Sequence, residues 1–212
     1  MRSRVLIADD HLVVLEGLRR ILDRPEFEVV RTVRDGRALV EAAAALKPDM
    51  IVADISMPLL NGIEAMRQIR AKNPSAKILF LSMHPEAIYA VEALKAGGKG
   101  YVIKSADDEE LITAIKKVLA GEQYVTPSLA EPVFNRLNAP RASAHNPVDA
   151  LTHRQREVLQ LLAEGKQAKE IATILKVSQR TVEFHKYRIM ETLGIRTVAG
   201  LAAYAATHRI VA

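Results

Sequence analysis

Over the first 120 residues, short apolar runs alternate with stretches of helical periodicity. The runs Arg4–Asp9, Glu28–Val33, Met50–Asp54, Lys77–Ser82 and Gly100–Ile103 have the length of strands. Between them, apolar residues recur three or four apart: Leu15, Leu18 and Leu22; Leu39, Ala43 and Leu46; Ile63, Met66 and Ile69; Ile88, Val91 and Leu94. A fifth set, Leu111, Ile115, Val118 and Leu119, closes the module. Four of the runs are almost continuously apolar, as strands buried on both faces of a parallel sheet should be. The second alternates instead, which suits an edge strand. Five βα units with short loops predict a doubly wound α/β fold around a five-stranded parallel sheet.

Residues 121–149 break this pattern. They hold Pro127, Pro132, Pro140 and Pro147, with Asn138-Ala139-Pro140-Arg141-Ala142-Ser143 between, and read as a linker in which Ala130–Leu137 could form one or two helical turns. From Leu151 onward the pattern is helical, without a strand run or a proline. The expected organisation is a 1–120 α/β domain, a 121–149 linker and a 150–212 all-α domain.

Charge separates the two domains further. Residues 1–120 carry 18 Lys/Arg against 17 Asp/Glu, whereas 150–212 carry 10 against 5, the whole net charge of +5. A basic terminal module points to a polyanion, with nucleic acid the first candidate, or to a solvated basic helix face. Zero cysteines exclude disulfides, thiolate metal sites and cysteine nucleophiles. No apolar stretch approaches the roughly 18 residues of a membrane span, and Met1-Arg2-Ser3-Arg4 lacks a signal-peptide core. A cytoplasmic protein without a membrane partner is expected.

The first candidate site lies where the strands end. In open parallel sheets, ligands bind beyond the carboxyl ends of the strands. Here the first run ends in Asp9-Asp10, the third in Asp54 and the fourth in Ser82, and Lys104 follows the fifth. Clustered carboxylates repel unless a cation neutralises them, and Mg²⁺ suits carboxylates while leaving room for a phosphate. With Mg²⁺ and Lys104 drawing charge from a phosphoryl group, Asp54 is the carboxylate best placed to act as nucleophile and form an aspartyl phosphate. His11 and His84 read as ordinary loop residues. A dinucleotide-binding enzyme would need a glycine-rich turn where Asp9-Asp10-His11 stands.

The set Asp9-Asp10, Asp54, Ser82, Tyr101 and Lys104, with gaps of 44, 28, 19 and 3, resembles the receiver domain of two-component response regulators, a flavodoxin-like fold. The resemblance runs from residue 3 to about 120 and includes Asp54-Ile55-Ser56-Met57-Pro58 and Gly97-Gly98-Lys99-Gly100-Tyr101-Val102-Ile103-Lys104. It implies Asp54 as phosphoacceptor. It further implies Mg²⁺ held by Asp10, Asp54 and the Ser56 carbonyl, with Asp9 acting through water, and Lys104 paired with the phosphoryl group. Ser82 and Tyr101 would be a switch pair, the hydroxyl moving to the phosphate and the ring rotating inward. Many receivers follow this lysine with a cis proline. Ser105 follows here, and a cis bond without proline is costly. A phosphatase of the haloacid dehalogenase type would need a second carboxylate two residues after the nucleophile, where Ser56 stands. Catalysis is therefore expected to stop at autophosphorylation from small phosphodonors and autodephosphorylation.

The basic module predicts a helix from Thr152 to about Gly165, a short helix Lys169–Leu175, a tight Lys176-Val177 turn, and a longer helix capped by Ser178 and stopped by Gly194. Short helix, tight turn and long helix make a helix-turn-helix. On the long helix Val182, Ile189 and Leu193 fall within about 40° of one another, while Arg180, Phe184, Tyr187 and Glu191 fall opposite. Outward aromatics flanked by Lys186 and Arg188 suit a major groove with thymine methyls.

This segment resembles the LuxR-type DNA-binding domain, through Leu151-Thr152-His153-Arg154-Gln155-Arg156-Glu157-Val158-Leu159, Lys169-Glu170-Ile171-Ala172 and Ser178-Gln179-Arg180-Thr181-Val182-Glu183-Phe184-His185. The resemblance implies a fourth helix, about Thr197–His208, used for dimerisation on DNA. Many relatives have a lysine at Glu183 and a polar residue at Ala168. Lys186, Arg188, Thr181 and the amides capped by Ser178 are the candidate backbone contacts, Glu183, Phe184 and Tyr187 the candidate base contacts, and Lys169 and Arg180 further DNA-binding candidates. Glu183 could instead pair with Lys186 or Lys176.

Together the modules resemble response regulators of the NarL/FixJ class: phosphorylation-controlled transcription factors. The partners implied are promoter DNA, a sensor histidine kinase, a second copy of the chain when phosphorylated, and RNA polymerase. The alternative with the same fold is a receiver-like transcription factor switched by dimerisation or a ligand, independently of phosphate.

Overall fold

A computed structural model describes residues 2–138, 150–208 and 210–211. The later part of the expected linker, 139–149 with Pro140 and Pro147, lies outside the described residues.

The described chain forms two compact units. The first contains β1 (Ser3–Ala8), α1 (Leu12–Ile21), β2 (Phe27–Val33), α2 (Gly36–Leu46), β3 (Met50–Asp54), α3 (Gly62–Lys72), β4 (Ile78–Ser82), α4 (Ala87–Lys95), β5 (Gly100–Ile103), α5 (Asp108–Leu119), β6 (Tyr124–Val125) and α6 (Pro127–Asn138). All sheet pairings are parallel, in the order β2-β1-β3-β4-β5-β6. The alternating run is an edge strand and the continuously apolar β1, β3 and β4 are interior, because an interior strand must bury both faces. Val5, Ile7, Met50, Val52, Leu79, Leu81 and Val102 pack on one face with Leu15 and Leu18 of α1 and with Leu111, Ile115 and Val118 of α5. Their neighbours Leu6, Ile51, Phe80 and Tyr101 are equally buried and, by strand alternation, point to the other face. Asp35, Asn61 and Asp107 cap α2, α3 and α5 by accepting a backbone N–H of the first turn.

Two expectations need correction. The sheet has six strands, and residues 121–138, expected as linker, hold β6 and α6. Two residues are too few to show a hydrophobic period. β6 is made by distant backbone partners: Tyr124 N–H donates to the Lys99 carbonyl and Thr126 N–H to that of Tyr101, each at 3.0 Å. Pro127 opens α6, where a missing N–H costs nothing, and Pro132 lies inside it. The helix persists despite Pro132 because Leu129 and Val133 are buried, with α6 packed on α4.

The second unit holds α7 (His153–Ala163), α8 (Ala168–Leu175), α9 (Gln179–Leu193) and α10 (Val198–Thr207). Thr152 and Gln155 form a capping box at α7, as do Gln167 and Glu170 at α8. Lys176 takes the left-handed conformation (φ 54°) that turns the chain between α8 and α9, and Gly194 (φ 68°) ends α9. Val158, Leu161, Ile171, Leu175, Val182, Ile189, Leu201 and Ala205 form the core, with Leu193 packed partly against it. Among the described residues, no helix is long and apolar enough to cross a membrane.

Candidate functional site

Strand register gathers the acidic site. Ala8 pairs with Ala53, which brings Asp9 beside Asp54; Asp54 pairs with Leu81, one residue before Ser82; and Ser82 pairs with Ile103, one residue before Lys104. The Lys104 N–H donates to the Ser82 carbonyl at 2.8 Å. Four residues spread over most of a domain thus meet at one mouth because parallel strands end together. The α3 N-terminus closes its back, and a Cβ on Gly62 would stand 2.1 Å from the Asp54 carbonyl oxygen, a gap only glycine tolerates.

Lys104 Nζ lies 2.6 Å from Asp9 Oδ2 and 2.8 Å from Asp54 Oδ2. Asp9 and Asp54 are buried. Burial pushes the Asp54 carboxyl above its ordinary pKa, an effect offset in part by Lys104 and by a backbone hydrogen bond from Ser56. Burial would lower Lys104, but the Asp54 and Asp9 carboxylates outweigh it and hold the ammonium above its ordinary value. No described peptide bond is cis, so the Lys104–Ser105 bond is trans and the lysine still reaches both carboxylates. Asp10 is half-buried at the rim, its Oδ1 2.9 Å from His11 Nδ1. One donor atom each from Asp9, Asp10, His11 and Asp54 falls within a span of 4.8 Å. The buried oxygens Asp9 Oδ2 and Asp10 Oδ1 face Lys104 Nζ and His11 Nδ1, and three clustered carboxylates form a donor set that suits a hard divalent ion such as Mg²⁺.

Ser82 and Tyr101 lie close enough for their side chains to interact directly, and they also share a third residue. The Ser82 hydroxyl oxygen accepts the His84 N–H at 3.1 Å, and the Tyr101 hydroxyl donates to the His84 carbonyl at 2.8 Å. The Tyr101 ring is fully buried, and burial pushes its phenol up to about 12. The ring implied to rotate inward is inward here already. The role of the His84 backbone was invisible in the sequence, since any residue can supply an N–H and a carbonyl. Thr126 was equally hidden: its hydroxyl accepts the Ile103 N–H at 3.2 Å and its own N–H holds the Tyr101 carbonyl, which ties the start of α6 to β5. His11 did carry a signal, standing next to the two aspartates.

In the second unit, the Ser178 hydroxyl accepts the Thr181 N–H at 3.1 Å and lies 2.8 Å from the Thr181 hydroxyl. Lys169 on α8 and Arg180, Phe184, Tyr187 and Arg188 on α9 are exposed, Phe184 and Tyr187 at 60% and 65%. Two exposed aromatics on one helix face need a partner. The Lys186 ammonium lies 5.3 Å from the Tyr187 ring centre and also pairs with Glu183. Arg188 pairs with Glu191 at 2.7 Å. Of the two basic partners open to Glu183, Lys186 and Lys176, it pairs with Lys186.

Residues 5–116 match the response regulator receiver domain, and residues 149–205 match the bacterial regulatory proteins of the luxR family. The oxygen regulatory protein NreC of Staphylococcus aureus (strain MRSA252) is 38% identical over 98% of this chain and 99% of its own. A LuxR-family two-component response regulator from Aurantimonas sp. SI85-9A1 is 36% identical, with a TM-score of 0.62 over 66% of this chain and all of its own. The RcsB response regulator of Salmonella typhimurium is 28% identical, with a TM-score of 0.58 over 97% of this chain and 99% of its own. An RcsB–DNA complex is 29% identical, with the same TM-score over 97% and 98%. Two matched domains in this order, and relatives alike over nearly the full length, place the chain in the family of two-component response regulators, as a phosphorylation-controlled transcription regulator with a LuxR-type DNA-binding domain.

Proposed function

We propose that Asp54 is the phosphoacceptor, and that its modification controls pairing and promoter binding by residues 150–212. The observation that carries this reading is Lys104, whose buried ammonium bridges Asp9 and Asp54. An Asp54 oxygen attacks phosphorus, the bond to the donor's leaving atom breaks, and Lys104 faces the charge gained on the phosphoryl oxygens. Asp10, Asp54 and the Ser56 carbonyl would hold Mg²⁺, with Asp9 acting through water. When bound, the ion neutralises charge on the phosphoryl group. The Ser82 hydroxyl turns from the His84 N–H to the new phosphate, which disturbs the residue that Tyr101 also holds. The donor is a sensor histidine kinase or a small acyl phosphate, and the protein's own catalysis is limited to accepting and losing this group.

Lys169, Ser178, Arg180, Thr181, Lys186 and Arg188 meet DNA phosphates, while Phe184 and Tyr187, with Glu183 beside them, face base edges. A four-helix module binds a half-site weakly, so pairing two copies raises affinity through effective concentration. The DNA complex of the similar RcsB supports this reading, which places the protein in the cytoplasm and makes RNA polymerase a further partner. Residues 1–120 would carry the switch and 150–212 the DNA contacts.

The test is intact mass with acetyl phosphate, wild type against Asp54→Ala, joined to sedimentation and DNA binding with and without beryllofluoride. A phosphoryl mass on wild type alone, with stronger pairing and DNA binding, is expected; equal modification of both proteins overturns the assignment. Pairing and DNA binding that ignore beryllofluoride would overturn the coupling of Asp54 to residues 150–212.

A further inference from the structure

One donor at the acidic mouth is not an oxygen. His11 occupies the N-cap position of α1, but its side chain caps nothing there. Its backbone is fixed: the His11 N–H donates to Asp9 Oδ1 at 2.9 Å, and the His11 carbonyl accepts from Leu15 N–H at 3.1 Å. The ring turns inward, with Nδ1 2.9 Å from Asp10 Oδ1 and 3.3 Å from Asp9 Oδ1. Two ligands of one ion, each about 2.0–2.2 Å from it, stand at most about 4.4 Å apart. Donor atoms of Asp9, Asp10, His11 and Asp54 already fall within 4.8 Å of one another, so rotation about side-chain bonds can bring those of Asp10, His11 and Asp54 to a common ion, with Asp9 reaching it through water. The two sides of the mouth differ. Lys104 compensates Asp9 and Asp54, whereas Asp10 Oδ1 is buried and receives no well-aligned hydrogen bond. The His11 side chain is 67% exposed, which leaves it free to follow an ion.

We propose that His11 is a nitrogen ligand of this site, which therefore binds transition-metal dications such as Mn²⁺ and Ni²⁺ through the imidazole and Mg²⁺ through oxygens alone. This rests on the reading of the acidic mouth as a divalent-cation site. Carboxylates and carbonyls suit Mg²⁺ and Mn²⁺ alike, but an imidazole adds affinity along the series from Mn²⁺ to Ni²⁺. Mg²⁺ dehydrates reluctantly and gains little from a nitrogen donor. The site is thus selective by one residue, His11, which follows the aspartate pair at the start of α1.

The test is calorimetric titration of Mg²⁺, Mn²⁺ and Ni²⁺ into full-length wild type, His11→Ala, His11→Asn and Asp54→Asn, with electron spin-echo modulation of the Mn²⁺ form. Outer-shell partners of a metal are worth about 10–100-fold in affinity, so losing a direct ligand should cost at least about tenfold for Ni²⁺. The expected result is a nitrogen modulation in wild type that both His11 variants lose. Their Ni²⁺ binding falls at least about tenfold and their Mg²⁺ binding by less than about twofold. Wild type that binds Mg²⁺ and Mn²⁺ without a nitrogen signal, or His11 variants that bind all three ions as wild type does, overturns the His11 assignment alone. A fall shared equally by Mg²⁺ overturns it too, since that marks a structural defect. Wild type that binds none of the three, or Asp54→Asn that binds all three undiminished, overturns the cation-site reading and this inference together.

Discussion

Lys104 Nζ and Asp54 Oδ2 stand 2.8 Å apart, with both side chains nearly sealed from water. Because the same ammonium also holds Asp9 at 2.6 Å, the two partners of the pair are not equivalent. Removing the lysine leaves two buried carboxylates uncompensated; neutralising Asp54 leaves Lys104 with Asp9.

Lys104→Ala should therefore destabilise the first unit by about 3–5 kcal/mol, and Asp54→Asn by much less. Urea unfolding in metal-free buffer measures both. Added Mg²⁺ should narrow the gap, since a divalent ion can replace the missing positive charge. Equal losses for the two variants would mean that Asp9 does not hold the lysine.

Thr126 holds the Ile103 N–H at 3.2 Å with its hydroxyl and the Tyr101 carbonyl with its own N–H, and it is buried. Thr126→Val keeps the shape but strands the Ile103 N–H, a loss of about 1–3 kcal/mol. Thr126→Ser should recover most of it. Hydrogen exchange at Ile103, faster in the valine variant and near wild type in the serine variant, checks the cause.

On α9, Glu183 is tied to Lys186. Lys186→Ala should flatten the salt dependence of binding by about 0.9 in log–log slope, while Glu183→Ala, which removes only the carboxylate that competes for the same ammonium, should raise affinity and leave the slope unchanged. Selection from a randomised DNA library should return the same motif for Glu183→Ala and wild type. A preference relaxed at one base pair by about 1–3 kcal/mol would show that the carboxylate leaves Lys186 to read a base.

His185 Nδ1 is buried without a hydrogen bond, and burial, with Arg154 nearby, holds its pKa below the ordinary value. The unfolded chain then takes up a proton first, near pH 6.5. Stability of the second unit should be level above that pH and fall as pH drops through it toward the lower folded value. His185→Gln should make melting of this unit less steep between pH 7.5 and 5.5. An unchanged pH profile would exclude His185 as the titrating group.

The strand ends were legible in the sequence because parallel strands buried on both faces are continuous apolar runs, and polar residues that stop such runs converge once the sheet forms. Asp9, Asp54, Ser82 and Lys104 could be gathered on paper for that reason, and α7 to α9 through Thr152, Ser178 and Gly194, whose capping chemistry is local. The sequence could not show β6, since Tyr124-Val125 is a strand only through backbone bonds to Lys99 and Tyr101, or α6 as a full helix, since Pro132 argues against it until Leu129 and Val133 find α4. The His84 peptide between Ser82 and Tyr101 and the inward Tyr101 ring were likewise decided by the tertiary structure, whereas the Glu183–Lys186 pair, three residues apart on one helix, was open to a local reading. Residue identity and spacing determined which groups reach the two sites. The hydrogen bonds and ion pairs that join distant elements, such as Lys104 with Asp9 and Asp54, depended on distances across the fold, which no local pattern encodes.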